Sequence, residues 1–65
     1  MKKYMIKLYT KCGKLTDTWF TDSLQEAEKI RTEWAEVNGI TEFSYMPTIW
    51  KHNWKKRGYE RILGY

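Results

Sequence analysis

The sequence predicts an α+β fold in which one helix packs on an antiparallel sheet in the order β-β-α-β, with a fourth strand expected after these. Residues 2–11 alternate apolar and basic side chains with the period of two that marks a half-buried strand. Residues 24–37 instead repeat their apolar side chains at helical spacing. With 65 residues and one cysteine, the chain is expected to form a single domain, 1–65, without an internal disulfide.

The first two strands are predicted to form a hairpin. Tyr4, Ile6 and Leu8 fall on one face of the first strand, and lysines alternate with them on the other face. A turn follows, because Gly13 is free to take positive φ. Residues 15–20 are rich in threonine and aromatic side chains, so they are predicted to form the returning strand.

The helix has predicted signals at both ends. Ser23 and Glu26 stand at the spacing of a capping box, and Gly39 suits the left-handed position that follows a helix. The predicted buried stripe consists of Leu24, Ala27, Ile30, Trp34 and Val37. Trp34, the one large ring on this stripe, is expected at the centre of the core.

The C-terminal third is more ambiguous. Residues 41–46 are predicted as the third strand, which Pro47 ends, bends or places at an edge because proline cannot donate to a ladder. Residues 48–50 can continue that strand, and 59–63 can form a fourth. The alternative is a short helix over 48–57 that begins near the proline. Thr48 and its neighbours disfavour helix, so strand, loop and strand is the preferred interpretation.

Charge is sorted by segment along the chain. Residues 1–16, 17–42 and 43–65 carry net charges of +5, −5 and +4, which sum to the overall +4. If the acidic middle is the helix and the outer blocks are strands, an acidic helical layer lies against a basic, aromatic-rich sheet. A pI of about 9.3 is compatible with binding to nucleic acid, an anionic membrane or an acidic protein surface.

One candidate binding segment interleaves cations and rings over residues 50–61. Nucleic-acid binders use this mixture because cations neutralise phosphates while rings stack on unpaired bases. Alternatively, the tryptophans belong to the core or an interface and the charges form a solvated loop. The candidate residues are Trp50, Lys51, Trp54, Lys55, Lys56, Arg57, Tyr59 and Arg61.

The second candidate is the outer face of the first strand. Lys3, Lys7 and Lys11 lie on it together with Met5 and Tyr9. Alternation spaces successive lysines there by roughly 6.5–7 Å, comparable to phosphates along a nucleic-acid strand. The alternative is edge protection, since lysines on an edge strand discourage aggregation, and it applies if this strand lies at an edge.

No pattern predicts an enzyme, a cofactor or a metal site. The Gly13-Lys14 pair lacks the earlier glycine and the following hydroxyl of a phosphate-binding loop. Cys12 and His52 are not linked by any nucleophile motif. No apolar run approaches the length of a membrane span.

The sequence therefore predicts a small, non-enzymatic, basic binding module, cytoplasmic and associated with nucleic acid through a basic aromatic surface. The alternative is a small accessory protein of the phage or mobile-element type that docks on a host protein through aromatic anchors and inhibits or redirects it. Peripheral membrane association through Trp and Lys is a weaker third possibility. Eleven aromatic residues exceed what so small a core hides, so a homo-oligomer is also possible.

Overall fold

The computed structural model describes residues 1–65 and contains one helix packed on one face of a four-stranded antiparallel sheet, which confirms the α+β prediction, including the fourth strand. The strands lie in the order β2-β1-β3-β4, so β1 and β3 are central and β2 and β4 are edges. The elements are β1 Tyr4–Tyr9, β2 Leu15–Thr21, α1 Leu24–Val37, β3 Thr48–Asn53 and β4 Gly58–Arg61.

The predicted β1–β2 hairpin is confirmed. Its turn contains Gly13 at φ 88°, and a Cβ built on that residue would lie only 2.7 Å from the Tyr45 ring. The register shifts between Leu8 and Tyr9, where Thr16 is the additional residue of a bulge. The turn therefore packs directly on the segment between α1 and β3.

Both ends of α1 form as the sequence predicts. The Ser23 Oγ accepts the Glu26 backbone N–H at 3.2 Å. The second half of the capping box is relayed through Thr21, whose hydroxyl accepts the Ser23 N–H and donates to the Glu26 carboxylate. At the other end Gly39 has φ 63° and the N–H of the buried Ile40 bonds to the Ala35 carbonyl, so the last turn is closed.

The core centres on small and β-branched side chains. Ile6, Ile49 and Ala27 are fully buried, and Leu8 is almost so. Because Ala27 has a small side chain, the helix can approach the two isoleucines closely. The helix buries little else completely, so the core is small and the margins of the sheet contribute half-buried rings.

Two details of the predicted stripe were wrong. Trp34 is only half-buried and packs at the margin of the core, where its indole N–H donates to the Tyr9 carbonyl at 2.8 Å. Val37 is 84% exposed. Ile40, just after the helix, is buried instead, and its N–H bonds to the Ala35 carbonyl.

The predicted strand over residues 41–46 was also wrong. Phe43–Tyr45 forms a 3-10 turn, and β3 begins at Thr48, after Pro47 instead of before it. A proline without an N–H is tolerated at the start of a strand, where no ladder bond is lost. The Pro47 carbonyl accepts the Arg31 Nε–H at 3.1 Å, which ties this connection to α1.

The alternative helix over 48–57 does not form either. Residues 48–51 instead pair with β1 and residues 50–53 pair with β4, so the segment is held as a central strand of the sheet. No helix of the structure combines the length and the apolar character that crossing a membrane requires.

Candidate nucleic-acid interface

The two faces of the sheet differ, because α1 covers only one of them. Strand register identifies the residues on the uncovered side: Met5 lies opposite both Phe20 and Trp50, while His52 lies opposite Tyr59. We call this surface the open face. It comprises Lys3, Met5, Lys7, Tyr9, Leu15, Thr18, Phe20, Thr48, Trp50, His52, Tyr59 and Arg61, with Asp22 at its margin beside Lys3.

Charge is divided between the two sides of the molecule. The open face carries the cations Lys3, Lys7 and Arg61, and its one carboxylate is that of Asp22 at the margin, which accepts the Lys3 N–H and pairs with the Lys2 ammonium. The four glutamates of α1 lie on the opposite side of the sheet and are exposed: Glu26, Glu28, Glu33 and Glu36. An anion is therefore attracted to the open face and repelled from the helix.

Trp50 is fixed at the centre of the open face. Its indole N–H donates to the Thr48 hydroxyl at 2.9 Å, and the Tyr9 hydroxyl lies 3.2 Å from the same oxygen. The Lys7 ammonium stands 4.3 Å from the centroid of the Trp50 ring, within the range of a cation–π interaction. The strand register and these contacts hold one ring and one positive charge together in a defined geometry.

Four further rings form a continuous row across one end of the sheet. Phe20 contacts Tyr59 with centroids 5.9 Å apart, Tyr59 contacts His52 at 5.1 Å, and His52 contacts Trp54 at 4.2 Å. His52 is only 7% exposed, whereas the two ends of the row, Phe20 and Trp54, are 47% and 67% exposed. The Tyr59 hydroxyl donates to the Lys2 carbonyl at 2.8 Å, which anchors the middle of the row.

The turn between β3 and β4 extends this row beyond the sheet. The Asn53 side-chain oxygen accepts the backbone N–H groups of Lys55 and Lys56, and Arg57 adopts φ 53°, so the turn has a defined shape. It projects one ring, that of Trp54, and three cations into solvent. The polar depression beside it is lined in part by Lys51, Glu60 and Arg61.

The three cations of the turn are not equivalent. The Lys56 ammonium lies 2.7 Å from the Glu60 carboxylate. Their hydrogen bond raises the pKa of Lys56 and lowers the pKa of Glu60, for which a hydrogen bond from Asn53 adds to the effect. Lys55 and Arg57 have no carboxylate within ion-pairing distance. These two are therefore free to neutralise an external anion.

The structure gathers most of the sequence-predicted site residues at the open face. Trp54 and the three turn cations adjoin it directly, and five more candidates lie on it: Lys3, Lys7, Trp50, Tyr59 and Arg61. The edge-protection interpretation of the β1 lysines is wrong, because β1 is paired on both sides.

Two candidates are not part of this surface. Lys11 lies in the β1–β2 turn, beyond the end of β1 that is remote from the ring row. Lys51 lies opposite Tyr4 and Glu60, so its side chain is on the same side of the sheet as α1. Alternation along β3 separates Lys51 from Trp50 and His52, although the three are adjacent in sequence.

Sequence analysis did not select Phe20 or His52 for the interface. His52 could have been found from the sequence, because it lies two positions after Trp50 and therefore falls on the same face of the strand. Phe20 joins the interface only because β2 pairs with β1. Cys12 and His52 lie at opposite ends of β1, because the His52 N–H donates to the Lys3 carbonyl while Cys12 is in the far turn. No group of three or more His, Cys, Asp or Glu side chains is arranged to hold a metal ion.

Comparison with known proteins adds no functional assignment. No family model, curated protein or solved structure matches this chain.

Proposed function

We propose that this protein is a non-enzymatic module that binds single-stranded nucleic acid on its open face. The observation that carries the proposal is a sheet face left uncovered by the helix, on which aromatic rings and cations stand together and the one carboxylate, Asp22 at the margin, is already paired with Lys2. Its one cysteine is exposed and unpaired, which suits the reducing cytoplasm where we expect the protein to act.

Single strands fit this surface better than a duplex. Reading the major groove requires an element, most often a helix, that enters it with cations at the phosphates. The only long helix, α1, presents glutamates to solvent. The open face instead offers rings, and rings stack on bases only where those bases are unpaired and accessible.

The geometry suggests a division of roles within the interface. Phe20 and Trp54 have the accessible faces and serve as stacking surfaces at the two ends of the ring row. Lys55 and Arg57 are free of ion pairs beside Trp54, so phosphates flanking a stacked base meet them first. His52 and Tyr59, in the middle of the row, support the exposed rings.

The proposal is tested by titrating a labelled single-stranded oligonucleotide and its duplex form at several salt concentrations. We expect preference for the single strand and a log–log slope of about −0.7 per phosphate neutralised. Trp54→Ala should cost about 1–3 kcal/mol of binding free energy if Trp54 stacks on a base. Phe43→Ala is the control, because Phe43 is an equally exposed ring that lies beside Arg31 on the helix side.

A second candidate function uses the same exposed rings as anchors for an acidic protein surface, as in an accessory protein that inhibits or redirects a host protein. The exposure of Trp54 and Phe20 favours it, because such rings dominate protein interfaces. In that case the free cations chiefly accelerate association, and Lys55→Gln changes the on-rate more than the off-rate. No binding of any oligonucleotide at low salt, together with capture of one acidic protein, would favour docking over nucleic-acid binding.

A further inference from the structure

We propose that two copies of this chain associate through their β2 edges, antiparallel and about a two-fold axis, to form one continuous eight-stranded sheet. The inference rests on β2 and its flanking charges. It does not depend on the proposed binding of nucleic acid.

The two edges of the sheet differ in how they are protected. β4 has four residues and carries Glu60 and Arg61, which are features that discourage pairing with another strand. β2 has seven residues and contains no lysine, arginine, glycine or proline. It is rich in Thr, Trp and Phe, and Leu15, Trp19 and Phe20 are each about half exposed. β2 also contains one acid, Asp17, and the bulge at Thr16, but it is the longer and more apolar of the two edges and pairs with another strand more readily than β4 does.

Backbone directions show which groups β2 offers. The His52 N–H donates to the Lys3 carbonyl, so alternate residues from Lys3 onward direct their backbone groups to β3. The intervening residues of β1 therefore direct their backbone groups to β2. Ile6 bonds to Trp19, and Tyr4 and Leu8, two positions on either side, bond to Thr21 and Asp17. Phe20, which lies between those positions, directs its N–H and carbonyl away from the sheet.

Thr18 lies at the middle of β2 and also faces outward. Its N–H is taken by the neighbouring Asp17 carboxylate at 2.8 Å, an arrangement that satisfies a donor without a ladder partner. The Thr18 carbonyl also points away from β1, because backbone directions alternate along a strand, so it accepts no hydrogen bond from β1. A strand laid along this edge would bond to the Thr18 carbonyl and to both backbone groups of Phe20, and it would replace the Asp17 carboxylate as the acceptor of the Thr18 N–H.

Charge at the ends of β2 identifies a second copy as the occupant. Lys11 and Lys14 precede the strand, whereas Asp22 and Glu26 follow it. Antiparallel pairing centred on Thr18 sets Lys14 of each copy opposite Asp22 of the other, where Lys14 joins the Lys2 ammonium that already lies 3.4 Å from this carboxylate, and the contact occurs twice. A parallel arrangement would set like charges together at both ends.

This pairing has a definite consequence for the open face. The two-fold axis runs perpendicular to the sheet, so both copies of α1 lie on one side and both open faces lie on the other. Phe20, at the edge of each open face, then stands near the junction. The two faces become one surface that is twice as wide.

Sedimentation equilibrium of nuclease-treated protein over a wide concentration range tests the proposal. We expect a monomer–dimer equilibrium in the parent and monomers for Thr18→Lys and for Thr18→Glu, because each places like charges face to face at the axis. A mixture of these two variants should regain the dimer. Thr32→Lys, the same substitution on the exposed side of α1, should dimerise like the parent.

Amide hydrogen exchange in the parent gives a second measurement that does not depend on any variant folding. The Phe20 N–H should exchange more slowly as concentration rises, whereas the outward N–H of Tyr59 on the β4 edge should not change. A parent that stays monomeric throughout, or a Phe20 amide whose exchange ignores concentration, would overturn the proposal. So would a Thr18→Lys variant that dimerises as well as the parent.

Discussion

The contact between the β1–β2 turn and Tyr45 makes a quantitative prediction about two glycines. Gly13 and Gly39 both have positive φ, at 88° and 63°. A Cβ at Gly39 meets nothing within 4 Å, whereas at Gly13 it meets two Tyr45 ring atoms at 2.7 and 2.8 Å. Gly39→Ala should therefore lower the free energy of unfolding by only about 1–2 kcal/mol, which is the cost of holding a residue with a side chain in the left-handed conformation. Gly13→Ala should cost about 1–3 kcal/mol more, because the ring must also move.

Urea unfolding of the parent and the two alanine variants measures these costs. A domain of this size is expected to have only about 3–10 kcal/mol of stability, so the difference between the variants is readily detected. Repeating both substitutions in a Tyr45→Ala background should remove the excess cost at Gly13, since the obstructing ring is gone. Equal costs for the two glycines in the parent background would show that the turn does not pack on Tyr45 as described.

Three further outcomes follow from the core and the charge pairs. Ile49→Ala should cost about 2–5 kcal/mol in thermal or urea unfolding, whereas Val37→Ala, at an exposed site, should stay within about 0.5 kcal/mol of the parent. The backbone N–H of Lys3, more than the nearby Lys2 ammonium, lowers the pKa of Asp22 below its usual 3.8. The stability that ionised Asp22 contributes should thus be fully present above pH 3.8 and be lost as the pH falls through the lowered pKa. Asp22→Asn should remove this pH dependence from the acid-unfolding profile. In oligonucleotide titrations Lys55→Gln should reduce the salt slope by about 0.7, and Lys56→Gln by less, because Glu60 already neutralises Lys56.

Local signals predicted the parts of the fold that local interactions determine. The Ser23 cap, the left-handed Gly39 and the Gly13 turn each depend on residues a few positions apart, and all three formed as predicted. The third strand was placed too early: residues 43–45 of the predicted 41–46 strand form a 3-10 turn, whereas residues 48–50, predicted as its continuation after Pro47, lie in β3. Propensity over a few residues does not distinguish these two cases.

The burial of the helix was predicted less well than its ends. A stripe at helical spacing identifies a face, but the sheet beneath decides how far along that face burial extends. Ile6 and Ile49 centre the contact on Ala27, so Trp34 is left at the margin and Val37 in solvent.

The candidate interface was predicted in composition but not in arrangement. Phe20 and Tyr59 lie on the two edge strands, 39 positions apart in sequence, yet their rings are 5.9 Å apart. Only strand order and register, which are nonlocal, bring such residues together. The same information places Lys51 opposite Tyr4 and Glu60, on the side of the sheet away from its sequence neighbours Trp50 and His52.

Amide chemical-shift mapping shows directly whether the open face binds single-stranded nucleic acid. A short single strand is titrated into isotopically labelled protein at low salt, with each shift assigned to its residue. We predict that the largest changes fall on the open face and on the turn from Trp54 to Arg57, while the amides of α1 remain unchanged. The absence of any shift, or changes confined to α1, would contradict the account.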